Sequence, residues 1–235
     1  MKYKSPAITL TYIKHGESSI ICKILTLEKG LQTFIVKGVR SKKPKIKLSF
    51  FEPLRLLNID ANFNAKKSLQ YLVDVSIAAK FETIKKNIYN SFISAFIAEI
   101  TSKILQENEK NDALFSYIWK SAVKLNVAEK ADLNFAIKYL IDLCKPLGIS
   151  PSTSEIKNPF FELESGTFIQ NITASKTYLN NKKSEYLKAL LNDEKILIPQ
   201  KEKSELLKDL LYYYKLHHYN LDSVKSHLIF ENLRQ

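Results

Sequence analysis

Cysteine is nearly absent. Cys22 and Cys144 are the two in 235 residues, too few and too isolated for a disulfide framework or a four-thiolate zinc site. The five glycines, Gly16, Gly30, Gly38, Gly148 and Gly166, never stand in a GxGxxG or GxxxxGK spacing. A phosphate-cradling glycine loop is thereby excluded. No apolar run approaches the ~20 residues of a membrane span. Around Lys2, Tyr3, Lys4 and Pro6 there is no apolar core and no small-residue cleavage site, the marks of a secretory signal. A soluble intracellular protein is the expectation.

Acidic residues are the other shortage, and it is local. The net charge is +12, from 36 Lys+Arg against 24 Asp+Glu. Between Met1 and Lys80 stand 15 Lys+Arg and 5 Asp+Glu, a balance of +10, so the remainder carries only +2. A field concentrated in the first third favours a polyanionic partner or an anionic surface, and says nothing about fold.

Residues 1–80 read as strands. Ile8, Leu10 and Tyr12 alternate with Thr9, Thr11 and Ile13, and His15-Gly16 offers a turn. β-branched runs follow over Ile20–Leu27 and Leu31–Lys37, closed by Gly30 and Gly38, and further strand-like runs cover Leu54–Ile59, after Pro53, and Leu69–Ile77. Five short strands with glycine turns and no helical period predict a small antiparallel barrel of the oligonucleotide-binding (OB) kind.

From Phe81 the period becomes helical, with Ile84, Ile88, Phe92, Phe96, Ile100 and Ile104 on one stripe widened by Ile93, Ile97 and Leu105. Asp112 is placed to cap a second helix through Leu114, Phe115, Ile118, Trp119 and Ala122. A third runs through Leu133, Ala136, Ile137, Leu140, Ile141 and Cys144 and is stopped by Pro146 and Gly148. These helices predict a bundle beside the barrel. Phe160–Leu163 and Thr167–Ile169, on either side of Ser165-Gly166, predict a hairpin excursion. Two more helices follow, one capped by Ser184 and one after Pro199. The expected fold is α+β: an OB barrel over residues 1–80, then a helical bundle domain over 81–235. Its helices fall at about 82–147 and 182–231, with a small hairpin insertion at about 149–180.

The sharpest chemical feature is the segment from Val36 to Lys47. Five of the eight residues from Arg40 to Lys47 are basic, and Pro44 forbids a continuous helix. A strand that delivers Lys37, followed by a basic loop, suits a phosphate backbone, where counterion release supplies most sequence-independent affinity. Tyr12, Phe34, Phe50, Phe51 and Phe63 are aromatic groups that either stack bases, at ~1–3 kcal/mol each, or fill the barrel.

Other chemistry finds little support. His217 and His218 are adjacent, so on a helix they point about 100° apart and cannot share a metal. His227 has no cysteine near it, and His15 reads as a turn residue. Glu99, Glu162 and Glu164 make no acid–base pair with a nucleophile. Cys144 reads as a small hydrophobe unless Lys145 lowers its pKa. Neither enzyme, cofactor nor metal is expected.

The order and spacing of several motifs carry a resemblance. They are His15-Gly16-Glu17-Ser18-Ser19-Ile20, then Thr26-x-Glu28-x-Gly30-Leu31, then Lys37-Gly38-Val39-Arg40-Ser41-Lys42-Lys43, then Phe50-Phe51-x-Pro53-Leu54. Together they resemble the bacterial recombination mediator family RecO. The second half agrees more loosely, through Leu147-Gly148, Tyr213-Tyr214-x-Leu216-His217 and Lys225-Ser226. Many relatives carry a four-cysteine zinc module after the third helix. Ile149 to Asn180 contains neither Cys nor His, so the resemblance is to the Bacteroidetes-like form without it, and packing of Phe160, Phe161 and Phe168 must hold the hairpin.

The resemblance implies an OB barrel with a helical domain and no catalytic residues. It implies binding to single- and double-stranded DNA, annealing of complementary strands and binding to the acidic C-terminal tail of the single-stranded DNA-binding protein SSB. It further implies action with RecR to load RecA, in the bacterial cytoplasm at the nucleoid. The motif cations map to Lys37, Arg40, Lys42 and Lys43, to which charge alone adds Lys45 and Lys47. An SSB tail needs an apolar pocket with cations, and Lys138, between Ile137 and Tyr139, is the candidate beside the reading of an ordinary solvated lysine. The alternative function is a non-annealing OB scaffold that binds RNA or an acidic protein.

Overall fold

The computed structural model describes residues 1–79, 88–128, 132–172, 174 and 177–227. Five strands, β1 (Lys2–His15), β2 (Ser19–Thr26), β3 (Gly30–Val36), β4 (Leu56–Asn62) and β5 (Gln70–Ile77), close into a barrel in the order β1-β2-β3-β5-β4. The predicted barrel was antiparallel throughout. Neighbours cannot alternate direction all the way round an odd ring, and the parallel pairing is β3 with β5, at Phe34↔Gln70 and Ile35↔Tyr71. Inward-facing Ile20, Cys22, Ile24, Phe34, Val36, Leu57, Ile59 and Ala61 fill the barrel, with Phe51 from the 3-10 turn Leu48–Phe51.

Strand β1 is buried continuously from Ala7 to Leu10, the pattern of a strand covered on both faces. Helix α1 (Ile88–Ile104) packs on it, and α2 (Asp112–Val127) packs on α1. Thr9, at the β1 bulge, holds the segment before β4: its N–H donates to Arg55 O at 3.0 Å, and its carbonyl accepts from Leu54 N at 2.8 Å. The loop between α1 and α2 lies against the start of β3. Asn108 N–H donates to Leu31 O at 3.0 Å, and Thr33 Oγ1 donates to Glu107 Oε1 at 2.5 Å.

The chain divides into two compact units, Met1–Ala131 and Asp132–Gln235. Packing therefore joins α1 and α2 to the barrel, past the change of period at residue 81. The third helix, α3 (Phe135–Leu147), packs on α5 (Gln200–Leu216) within the second unit. The same unit holds α4 (Asn181–Leu191) and a small sheet ordered β7-β6-β8, from β6 (Phe160–Glu162), β7 (Thr167–Ile169) and β8 (Tyr178–Leu179). The predicted hairpin is β6–β7, and the ring centroids of Phe161 and Phe168 stand 5.0 Å apart. Tyr213 and Tyr214 of α5 reach from one helix to two places. Their hydroxyls donate to Ile149 O and Leu140 O, each at 2.6 Å.

Several local expectations shift. Asn111, not Asp112, caps α2, accepting from Leu114 N at 2.9 Å, because the cap must lie one residue before the first helical one. Asn180 caps α4. Ser184 instead lies buried inside it, accepting from Phe161 N at 3.0 Å and donating to Leu179 O at 3.1 Å. Pro146 sits within the last turn of α3, and left-handed Gly148 ends that helix. Ile88 is exposed at the start of α1. Helix α5 ends at Leu216, His218 has φ +69°, and the chain is helical again at His227. Ile84 and residues 228–231 lie outside the described residues.

Two predictions follow from this packing. A Cβ on Gly30, at φ +62°, would collide with the Glu109 carbonyl oxygen, so Gly30→Ala is expected to cost about 2–4 kcal/mol in urea unfolding. Burial raises both thiols, Cys144 from 9.0 to about 11 and Cys22 further. Unfolded thiols ionise first, so above pH 9 the unfolded state binds fewer protons and stability falls by about 1 kcal/mol per pH unit for each thiol. The slope of unfolding free energy between pH 9 and 11 should flatten in the Cys22→Ala/Cys144→Ala variant.

Candidate nucleic-acid interface

Alternation fixes what the barrel shows to solvent. In β2 and β3, Ile20, Cys22, Phe34 and Val36 point inward, so Ile21, Lys23, Thr33 and Ile35 point outward. Register aligns the outward set across four strands: Ile13 pairs with Ile21, Ile21 with Ile35, and Ile35 with Tyr71. Ile13 is 64% and Tyr71 44% exposed. Lys37 continues from β3 beside this row, with Nζ 5.9 Å from the Tyr71 ring centroid.

Beyond Lys37 the chain turns at Gly38, and Val39 is buried in the barrel core. Arg40 is a tether. Its Nη1 donates to Gly16 O at 3.1 Å and to Ser19 O at 3.3 Å, while its backbone N–H donates to Ser18 O at 2.8 Å. The guanidinium thus ties the basic loop to the β1–β2 turn. Ile46 and Leu48 pack against the core, while Lys45 and Lys47 beside them stay exposed. Lys42 and Lys43 are exposed as well. No carboxylate among the described residues pairs with Lys37, Lys42, Lys43, Lys45 or Lys47. Their charges are free to meet anions.

The aromatic residues divide. Phe34 and Phe51 are core, and Phe50 and Phe63 pack against it. Lys29 Nζ lies 5.4 Å from the Phe63 ring centroid. Of the five named from sequence, Tyr12 is the exposed one. Tyr71 and the outward isoleucines escaped the sequence reading, although alternation in the two runs carried the signal.

Lys138 lies on α3 in the second unit. Its Nζ stands 3.8 Å from Asp132 Oδ2, with its side chain 25% exposed. Ile137 and Tyr139, the apolar flanks that singled it out, are core residues. Cys144 is packing too: its Sγ lies 3.3 Å from Leu140 O and 3.5 Å from Tyr214 Oη, and burial outweighs any effect of Lys145. His217 stacks on Tyr213 with centroids 4.1 Å apart, and its Nδ1 lies 2.9 Å from Tyr213 O.

A closed OB-type barrel with a cationic loop and an outward apolar row, followed by a helical region, defines the architecture. Residues 1–81 match the family model for the recombination protein O N terminal, and residues 85–226 match that for its C terminal. The chain belongs to the recombination protein O family. It is 32% identical to the DNA repair protein RecO of Flavobacterium johnsoniae over 96% of this chain and 95% of that protein. With the DNA repair protein RecO of Flavobacterium psychrophilum it shares 33% identity over 100% of this chain and 99% of that one. With that of Azobacteroides pseudotrichonymphae it shares 28% over 96% of each.

The geometry separates two kinds of cation. Lys42→Ala/Lys43→Ala should leave the thermal midpoint unchanged and reduce the log–log salt slope of oligonucleotide binding by about 1.4 for single strands. Arg40→Ala should in addition lower stability by about 1 kcal/mol, since it frees the β1–β2 turn. Calorimetry and fluorescence titration across salt concentrations read the two effects independently.

Proposed function

We propose that this chain is a non-enzymatic DNA repair and recombination mediator of the bacterial cytoplasm, acting at the nucleoid. It binds single- and double-stranded DNA, anneals complementary strands, engages the acidic C-terminal tail of SSB and acts with RecR to load RecA. Residues 1–80, the basic OB-type barrel, serve as the DNA-binding region, and residues 81–235 form the helical region with its hairpin insertion. The observation that carries this reading is the exposed, carboxylate-free run of Lys42, Lys43, Lys45 and Lys47 beside Lys37 and the tethered Arg40. Family membership supports it, as does the name DNA repair protein given to its relatives.

The mechanism is electrostatic. Lysines held by an extended loop, rather than locked in ion pairs, replace condensed counterions on phosphates without reading base edges. Two strands gathered on one cationic surface repel each other less, and their base edges remain free to pair. Lys138 is the proposed cation for the SSB tail. Among the described residues no helix is long and apolar enough to cross a membrane.

Annealing of two complementary fluorescent oligonucleotides coated with SSB tests the whole proposal, with tail-deleted SSB as the control. Acceleration that requires the tail is the expected result. Binding without annealing would instead favour a scaffold for RNA or an acidic protein. Five to eight phosphate contacts predict a log–log salt slope of about −3.5 to −5.6 for single strands, and a flat response would end the electrostatic account. Charge reversal at Lys138 should weaken binding of an SSB tail peptide, and unchanged affinity would remove Lys138 from the site.

A further inference from the structure

We infer that Tyr71, backed by Lys37 and the outward isoleucine row, is a stacking platform for unpaired nucleobases and biases this barrel toward single strands. The inference rests on the DNA-binding reading above. It concerns which form of nucleic acid the face accepts, a question charge alone leaves open, since duplex and single strand are both polyanions.

The argument starts from register. Ile13, Ile21, Ile35 and Tyr71 are consecutive partners across β1, β2, β3 and β5. Strands lie about 4.8 Å apart, so the row runs about 14 Å along the curved outer face of the closed barrel. Lys23 lies two residues from Ile21 on the same face of β2, and Lys37 two residues from Ile35 beyond β3. Cations therefore border an apolar strip. This combination fits a chain with both phosphates and accessible base faces. A duplex stacks its bases inside and offers mainly phosphates and groove edges to such a surface.

Tyr71 has the particular features of a platform. Its ring is exposed, it stands at the barrel's parallel closure, and Lys37 Nζ lies on the ring at 5.9 Å from its centroid. A groove of about 530 Å³ opens beside it, lined in part by Asn62, Phe63, Asn64, Lys67 and Gln70. Asn62 pairs with Tyr71 across β4 and β5, and exposed Lys67 adds a cation at the groove. Gln70 is committed to holding the β4–β5 connection, since its amide bonds Asn64 and Lys67 backbone atoms. The groove wall is thus braced, and the ring beside it is free to meet a base.

The test compares three probes of equal length: an oligothymidylate, an abasic oligonucleotide with the same phosphates, and a duplex. Tyr71→Leu keeps an apolar strand residue but removes the ring, and Tyr71→Phe keeps the ring. The expected result is that Tyr71→Leu weakens oligothymidylate binding about ten-fold, with abasic and duplex affinities within two-fold of the parent. Tyr71→Phe should restore oligothymidylate affinity. Lys37→Ala should weaken all three and reduce the salt slope. Equal losses on every probe for Tyr71→Leu, or no loss on oligothymidylate, would overturn the platform while leaving DNA binding in place. Failure of the parent protein to bind any probe would overturn the DNA-binding reading itself, and the platform with it.

Discussion

Closure of the barrel through the β3–β5 pair is the constraint on which the candidate site depends. Only two residue pairs make that junction, Phe34↔Gln70 and Ile35↔Tyr71, yet they fix the sense of every side chain around the ring. With Phe34 inside, Ile35 must face out, and with it the partners that register aligns, Ile21, Ile13 and Tyr71. A slip of one residue would exchange the two sets. Ile20, Cys22, Phe34 and Val36 would then meet water, and Ile21, Lys23, Thr33 and Ile35 would turn toward Phe51, bringing a lysine into the core. Core packing thereby determines surface chemistry.

The rest of the first unit reinforces that closure. Thr9 spends its backbone groups on Leu54 and Arg55, which seats the chain between the basic loop and β4. The loop after α1 lies on the β3 start so closely that Gly30 has no room for a side chain. Arg40 gives up its guanidinium to two turn carbonyls. One cation of the basic run thus shapes the loop, while Lys42, Lys43, Lys45 and Lys47 stay exposed. The second unit relies on a different device. Tyr213 and Tyr214 each place a hydroxyl on a backbone carbonyl, one beyond α3 and one within it. Ring packing of Phe161, Phe168 and Tyr213 secures the small sheet.

The thiols are buried and held protonated, and His217 is occupied by a tyrosine ring and a carbonyl. What the first unit displays is charge and an outward apolar row. Charge acts at a distance and without sequence preference, whereas an exposed ring acts only at contact and only on an unpaired base. On the proposed reading, the two together would combine attraction with discrimination on the first unit.

The sequence by itself determined the barrel, its five strands, the helices that follow and the cationic loop. Alternation, glycine turns and local charge are properties of neighbouring residues, and they survive without knowledge of the fold. The motifs from His15 to Leu54 also revealed the family. Tertiary structure decided the rest. Whether an aromatic residue is core or surface depends on strands far apart in the chain, so Phe34 and Tyr71 look alike until β3 meets β5. The division of the helices between units depends on which apolar face finds which partner, and periodicity records a face without naming its neighbour. Arg40 and Lys42 are equivalent as charges, and only the carbonyls of a turn more than twenty residues earlier separate them.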